Sequence, residues 1–244
     1  MKKPPRVRLD QLLVDRGLAE SRSKAQALVL AGEVKVDGSL AAKPGQAVSI
    51  ESSIEIAEPM RFVSRGGYKL EAALDNWRVS VSGLICADIG SSTGGFTDCL
   101  LQRGAARVYA VDVGGGQLDW RLRGDERVVV RERVNARYLS REHIPEPLDF
   151  ACADVSFISV TMILPALVPL LKPAAGMVIL VKPQFEVGRG KVGKGGIVRD
   201  PELHRAACDR VEGSARELGF ETAIMESPVL GAEGNREFLL YAKR

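Results

Sequence analysis

The sequence predicts an α/β protein: a mostly parallel sheet with a terminal antiparallel strand, preceded by a small α+β unit. Three observations carry this. From residue 68 onward, short apolar runs alternate with helical stretches, which is the signature of parallel strands joined by helical crossovers. Residues 221–244, ETAIMESPVLGAEGNREFLLYAKR, hold two strand-like runs with no helix between them, so the last pairing is antiparallel. Residues 8–56 have another texture, with two short helical faces and then brief β runs.

The elements follow in order. Leu9, Leu12 and Leu13 share a helix face, and Gly17 suits that helix's C-terminal end. Ser21 is an N-cap for a second helix, on which Ala25, Leu28 and Val29 repeat the spacing and which Gly32 closes. VKVDG reads as a strand entering a turn, and AVSIESSIEIAEP supplies one or two more strands. The first domain is thus 1–58. PMRFVSRGG, with Pro at one end and paired Gly at the other, gives a linker over 59–67. The larger domain is 68–244. In it YKLEAALDNW, GGFTDCLLQRG, SVTMILPALVPLLK and PELHRAACDRVEGSARELG read as helices. GLICADIG, RVYAVDVG, RVVVRE, LDFACADVSF and GMVILVKP read as strands.

Composition bounds the function. The chain has 244 residues, 45 % hydrophobic and 27 % charged, and a net charge of +3, ordinary for a globular protein. Charge is uneven, however. Residues 1–45 carry nine Lys/Arg against five Asp/Glu, an asymmetry that suits a polyanionic partner. Cys86, Cys99, Cys152 and Cys208 show no C-x-x-C spacing, so no zinc site is expected, and the protein reads as reduced and cytoplasmic. The basic start lacks the apolar stretch of a signal peptide, and MILPALVPLL is too short to span a bilayer.

The most informative stretch is LICADIGSSTGGFTDCLL, Leu84–Leu101. A strand ends in small residues, and in an open α/β sheet ligands bind beyond the carboxyl ends of the strands. Glycines let the backbone approach a ligand closely. Asp112 ends the next strand, 22 residues after Gly90, about where an acid receives ribose hydroxyls. The glycine spacing is G-x-x-x-G-G rather than the dinucleotide G-x-G-x-x-G, and the acid Asp88 precedes it. That acid repels a pyrophosphate and attracts a cation. A ribose, an amino-acid tail and a sulfonium fit together as S-adenosylmethionine, with Asp88, Gly90, Ser92, Gly94, Gly95, Phe96 and Asp112 as the candidate cofactor-binding residues. A glycine-rich tight turn without a ligand is the plainer alternative.

Several motifs taken together (RLDQLLVDRGLAESRSKAQALVLAGEVKVDG, RFVSRGGYKLEAAL, DIGSSTGGFTDCLL, ADVSFIS, LVKPQFE and GNREFLLY) resemble the hemolysin-A (TlyA) family in order along nearly the whole chain. The resemblance implies an RNA-binding domain like that of ribosomal protein S4, joined to a Rossmann-like class I methyltransferase domain of FtsJ type. It implies 2′-O-methylation of ribosomal RNA, small and/or large subunit, with cytidine as the expected acceptor. It also implies a Lys-Asp-Lys-Glu tetrad, carried over by motif to Lys69, Asp154, Lys182 and Glu237. Asp154 and Lys182 each follow an apolar strand and so reach the carboxyl edge without help from the family. Taken singly, Lys69 and Glu237 are an ordinary helix lysine and strand glutamate.

The chemistry asks for such a set. The 2′-hydroxyl is a poor nucleophile until a positioned base takes its proton. An ordinary lysine is neutral in roughly one molecule in 2,500 at pH 7, and a neighbouring ammonium or a desolvated cleft favours the neutral form. The expectation is Lys182 as base, Lys69 beside it holding the ribose, and the two carboxylates fixing geometry. For RNA the candidates are Arg8, Arg22, Lys24 and Lys35 in the small domain. Arg189, Lys191 and Lys194 join them from a glycine-rich loop after the Lys182 strand. Aromatic residues are only 5 %, which speaks against a base-stacking platform and for a folded target.

Three rivals are weaker. A nicotinamide oxidoreductase conflicts with the glycine spacing, a non-catalytic RNA-binding assembly factor with the intact tetrad, and a membrane-acting hemolysin with the lack of a spanning segment. DVSF stands where amino-directed methylases carry Pro-Pro-aromatic, and no Cys follows a Pro as the pyrimidine C5 enzymes require.

Overall fold

A computed structural model describes residues 4–30, 32–56, 60–231 and 234–244. The chain forms two compact units, Met1–Arg61 and Phe62–Arg244. The boundary expected at 58/59 lies outside the described residues.

The first unit runs β1 (Arg6–Arg8), α1 (Leu9–Asp15), α2 (Arg22–Leu30), β2 (Val34–Val36), β3 (Ser39–Leu40), β4 (Ala47–Ser49) and β5 (Ile54–Ile56). β1 pairs with β4, and β2 with both β3 and β5, all antiparallel. Leu9, Leu12 and Leu13 are buried as their spacing requires, and they form one core with Ala25, Val29, Val34 and Val48. Leu28 is only partly buried against it. Ser21 Oγ accepts the Lys24 N–H at 3.2 Å, the N-cap bond read from the sequence. Gly17 and Gly32 both adopt positive φ at the helix ends.

The second unit comprises α3 (Gly66–Asn76), β6 (Ile85–Ile89), α4 (Gly95–Gln102), β7 (Arg107–Val111), α5 (Trp120–Arg123), β8 (Val128–Arg131), β9 (Leu148–Ala153), α6 (Leu164–Leu167), β10 (Leu171–Val181), α7 (Pro183–Glu186), α8 (Pro201–Glu217), β11 (Glu221–Glu226) and β12 (Phe238–Lys243). The sheet order is β11-β12-β10-β9-β6-β7-β8. β8, β7, β6, β9 and β10 are parallel, and β12 is antiparallel to both neighbours. Side chains of β10 alternate between two cores. Met177, Ile179 and Val181 pack with α8 residues, while Val178 and Leu180 pack with α3 and α4 residues. Helices therefore cover both faces, as a parallel sheet requires.

Two expectations are corrected. SVTMILPALVPLLK is not one helix. A four-residue α6 lies between 3₁₀ turns at Val160–Met162 and Val168–Leu170, because Pro165 and Pro169 cannot donate the N–H bonds a continuous helix needs. The stretch from Phe62 to Gly67, read as linker, is packed. Phe62 is 2 % exposed, and a Cβ on Gly67 would stand 2.3 Å from its ring. Gly67 admits an aromatic ring beneath the start of α3.

Candidate active site

The chain order reverses at β6. From it the chain winds outward to β7 and β8, then returns to add β9 and β10 on the other side. The crevice beyond the ends of β6 and β9 is where such sheets bind ligands. The Asp154 N–H donates to the Ile89 carbonyl at 2.8 Å, and the Gly90 N–H to that of Val111 at 2.8 Å. These bonds bring the loops after three strands together. Two adjoining cavities open there, of about 380 Å³ and 420 Å³, sharing Gly90, Ser92 and Asp154 in their walls.

Gly90 has φ +86°, and a Cβ there would stand 2.3 Å from the Asp154 carbonyl oxygen. Only glycine fits that approach. Asp112 lines the second cavity. Its carboxylate is held by two backbone donors, Ser92 N–H at 2.8 Å and Gly114 N–H at 2.7 Å. Ser92 adopts φ +48° to donate. Asp88 lines the first cavity with no exposed surface. Burial pushes its carboxyl up to about 7, against the pull of Thr97, whose N–H and hydroxyl donate to Oδ2 at 2.9 and 2.7 Å. Asp88 thus also fastens the first turn of α4. Gly95 lines the same cavity, and a Cβ there would meet Ser64 Oγ at 2.2 Å.

Two of the candidate cofactor-binding residues also have packing roles. Gly94 is absent from both cavity walls. Its φ is +98°, and the place of its Cβ is filled by Leu122 Cδ1 at 2.3 Å and Leu118 Cδ1 at 2.8 Å. It lets α5 pack against the entry to α4. Phe96 lines the first cavity but is 3 % exposed and belongs to the core cluster.

The tetrad residues meet in pairs. Lys69 Nζ donates to Glu237 Oε2 at 2.5 Å, with Lys69 8 % and Glu237 2 % exposed. Lys182 Nζ stands 2.5 Å from Asp154 Oδ1 and donates to Ser156 Oγ at 2.8 Å. The Lys182–Asp154 contact is ionic without hydrogen-bond alignment, which leaves Oδ1 buried with no hydrogen-bond donor among the described residues. Lys69 and Asp154 face the same cavity, so each ion pair contributes one member to its wall. The antiparallel β12 explains Glu237. Phe238 pairs with Val181, so the residue before the one strand lies beside the residue after the other. A buried Gly231 makes room, since a Cβ there would overlap Glu237 Oε1.

The sequence reading missed several contributors. Ser64 and Arg65, assigned to the linker, line the first cavity, and Gln117, Asn135 and Phe157 line the second. Glu186 is 3 % exposed and accepts the Ser159 hydroxyl at 2.5 Å and the Val160 N–H at 2.8 Å. It ties the loop carrying Asp154 and Ser156 to α7, which follows Lys182. Burial pushes its carboxyl up. The quoted motifs RFVSRGGYKLEAAL, ADVSFIS and LVKPQFE contain Ser64, Arg65, Phe157 and Glu186, while Gln117 and Asn135 lie outside every quoted motif, and no spacing rule marks any of them.

The cysteines are free and buried. Burial pushes the Cys86 and Cys208 thiols up to about 12, so neither is a nucleophile at neutral pH. Among the described residues there is no group of three or more His, Cys, Asp or Glu placed to hold a metal, and no helix long and apolar enough to cross a membrane.

In the first unit Lys24 and Lys35 are exposed. Arg8 and Arg22, the other two RNA candidates, are both ion-paired to the buried Asp10, and each side chain stays 51 % exposed. In the second unit Lys191 is exposed, as is Lys194, in the loop after α7. The Arg189 side chain lies outside what the structure describes.

Residues 62–244 match the FtsJ-like methyltransferase family and residues 7–54 the S4 domain. The chain therefore belongs to the FtsJ-like methyltransferases and carries an N-terminal S4 domain. It is 48 % identical over 241 residues to the 16S/23S rRNA (cytidine-2′-O)-methyltransferase TlyA of Mycobacterium tuberculosis, covering 98 % of this chain and 90 % of that protein. It is 43 % identical to Hemolysin A of Brachyspira hyodysenteriae, covering 96 % of this chain and 99 % of that one. A solved structure from Streptococcus thermophilus superposes with a TM-score of 0.75 at 44 % identity, covering 98 % of this chain and 89 % of that chain.

Proposed function

We propose that this chain transfers a methyl group from S-adenosylmethionine to the 2′-hydroxyl of a ribose in ribosomal RNA. The relatives named as cytidine-2′-O-methyltransferases support that acceptor, and a ribosomal substrate makes the cytoplasm the place of action. The observation that carries the reading is one shared cavity wall bearing a member of each ion pair, Lys69–Glu237 and Lys182–Asp154.

The residues present fit the cofactor. Gly90 lines both cavities and lets the Asp154 backbone close in beside it, and Asp112 offers an oriented carboxylate to a ribose. Asp88 places a buried carboxyl in the wall of the first cavity, where a cationic tail would meet it. Gly90, Ser92, Gly95 and Asp112 would hold the nucleoside, and Asp88 would face the charged tail. When bound, S-adenosylmethionine supplies a methyl group on a positively charged sulfur. The protein supplies the rest. Lys182, oriented by Asp154 and Ser156, takes the 2′-hydroxyl proton as the neutral amine, once the proton it shares with Asp154 has been released. Lys69, held by Glu237, positions the ribose. Lys24, Lys35, Arg8 and Arg22, with Arg189, Lys191 and Lys194, supply the positive charge that holds the RNA backbone.

The test is transfer of labelled methyl to ribosomal subunits, with the 2′-O-methyl positions mapped in each rRNA. Lys182→Ala is expected to slow single-turnover transfer by about 10²–10⁴-fold, with cofactor and RNA binding retained. Full transfer by this variant would remove Lys182 from the role of base.

A further inference from the structure

Among the described residues of the N-terminal unit, Asp10 is the one charged side chain that is buried, at 0 % exposure. It sits in the first turn of α1, and three side chains converge on it. Arg8 donates through Nε to Oδ1 at 3.0 Å and through Nη2 to Oδ2 at 2.8 Å, a two-pronged contact. Arg22 Nε donates to Oδ2 at 3.1 Å, and Gln26 Nε2 to the same oxygen at 2.9 Å. Hydrogen bonding from Arg8 is the largest of the effects that hold the Asp10 carboxyl well below the usual carboxylate range. The Arg8 guanidinium also lies directly on Gly45, where a Cβ would stand 2.9 Å from Nη1 and Nη2.

A carboxylate can be buried to serve the core, but Asp10 has an apolar core on one side and two half-exposed guanidiniums on the other. It engages two N–H groups of Arg8 and one of Arg22, which leaves most of each fork outside the contact. Both forks share one oxygen, which brings the two guanidiniums together at Oδ2. A free arginine loses much rotamer freedom when it grips a phosphate, whereas a pinned one has lost it already on folding.

We propose that Asp10 is a positioning residue that sets Arg8 and Arg22 as one preformed fork for a single phosphodiester of the RNA backbone. This rests on the RNA-binding reading of the N-terminal unit. It also makes a prediction of unusual sign. Asp10 subtracts a negative charge from the basic face, so by charge alone Asp10→Asn strengthens RNA binding. With positioning dominant, the same substitution weakens it.

The experiment measures binding of the full chain to protein-free transcripts of small- and large-subunit rRNA across a salt series, with thermal unfolding to confirm folding. Asp10→Asn is expected to weaken binding roughly five- to a hundredfold. In an Arg8→Ala/Arg22→Ala background it should add little further loss. Affinity equal to or above the unsubstituted chain overturns the proposal while leaving the RNA-binding reading intact. If Arg8→Ala/Arg22→Ala itself leaves affinity unchanged, that reading of this face fails and the proposal with it. Should Asp10→Asn not fold, Arg22→Lys keeps the charge but loses the fork, so a loss of about fivefold or more is expected. Unchanged affinity of that variant overturns the proposal.

Discussion

Asp88 has no exposed surface, and burial raises its carboxyl from an ordinary 3.8 to about 7. The folded state therefore binds this proton more tightly than the unfolded chain. Stability must fall as pH rises from about 4 to about 7, and above that range the cost is about 4 kcal/mol. Asp88→Asn keeps an acceptor for Thr97 and removes the charge. The variant should gain thermal stability relative to the unsubstituted chain as pH rises through that window, and it should bind S-adenosylmethionine more weakly by calorimetry. An unchanged pH profile would mean that Asp88 ionises at the same pH in the folded and unfolded chain, so that burial does not raise it. At this scale the sequence was partly legible. An acid after a strand and before glycines was visible as a cation-facing group, but its second task at Thr97 was not, because that bond depends on where α4 starts in space. Gly94 shows the same limit. Its type was readable, yet only the packing of Leu118 and Leu122 shows that it also makes room for the core.

Elements place the tetrad. β9 and β10 are parallel neighbours, so Asp154 and Lys182 arrive at one edge together, and this followed from alternation of strands and helices. Glu237 reaches that edge only because β12 runs the other way. The two-strand ending announced antiparallel pairing, but not that β12 would insert between β10 and β11. Glu186 acts between elements, fastening the loop after β9 to α7. Glu186→Ala leaves the Val160 N–H and the Ser159 hydroxyl without their acceptor. It is expected to cost about 1–3 kcal/mol in denaturant unfolding, and to lower the methyl-transfer rate at saturating substrates. Loss of stability with an unchanged rate would assign Glu186 to folding alone.

On the scale of the whole molecule, charge is modest in sum but uneven in place. The net +3 conceals a basic stretch over residues 1–45, offset in part by Glu51, Glu55 and Glu58, and a basic loop in the second unit. Each cation that neutralises a phosphate releases counterions and steepens the salt dependence of binding. Replacing Lys191 and Lys194 with alanine should reduce the slope of log affinity against log salt by up to about 2. An identical slope would make the loop a solvated surface segment. Arg8 and Arg22 qualify any simple count of charges, because part of their field is spent on Asp10, and a linear sequence does not show which arginines are so engaged.

The sequence by itself determined the alternation of strands and helices, the two-part organisation and the glycine-acid stretch that opens the pocket. These are local facts, fixed by backbone sterics and by the period of apolar residues. The tertiary structure decided which charges meet. Lys69 pairs with a residue 168 positions away, Gly231 yields space to Glu237, and Asp10 gathers two arginines from separate elements. Such contacts depend on strand order and on burial, which raises or lowers the free energy of a charge only after the chain has folded around it.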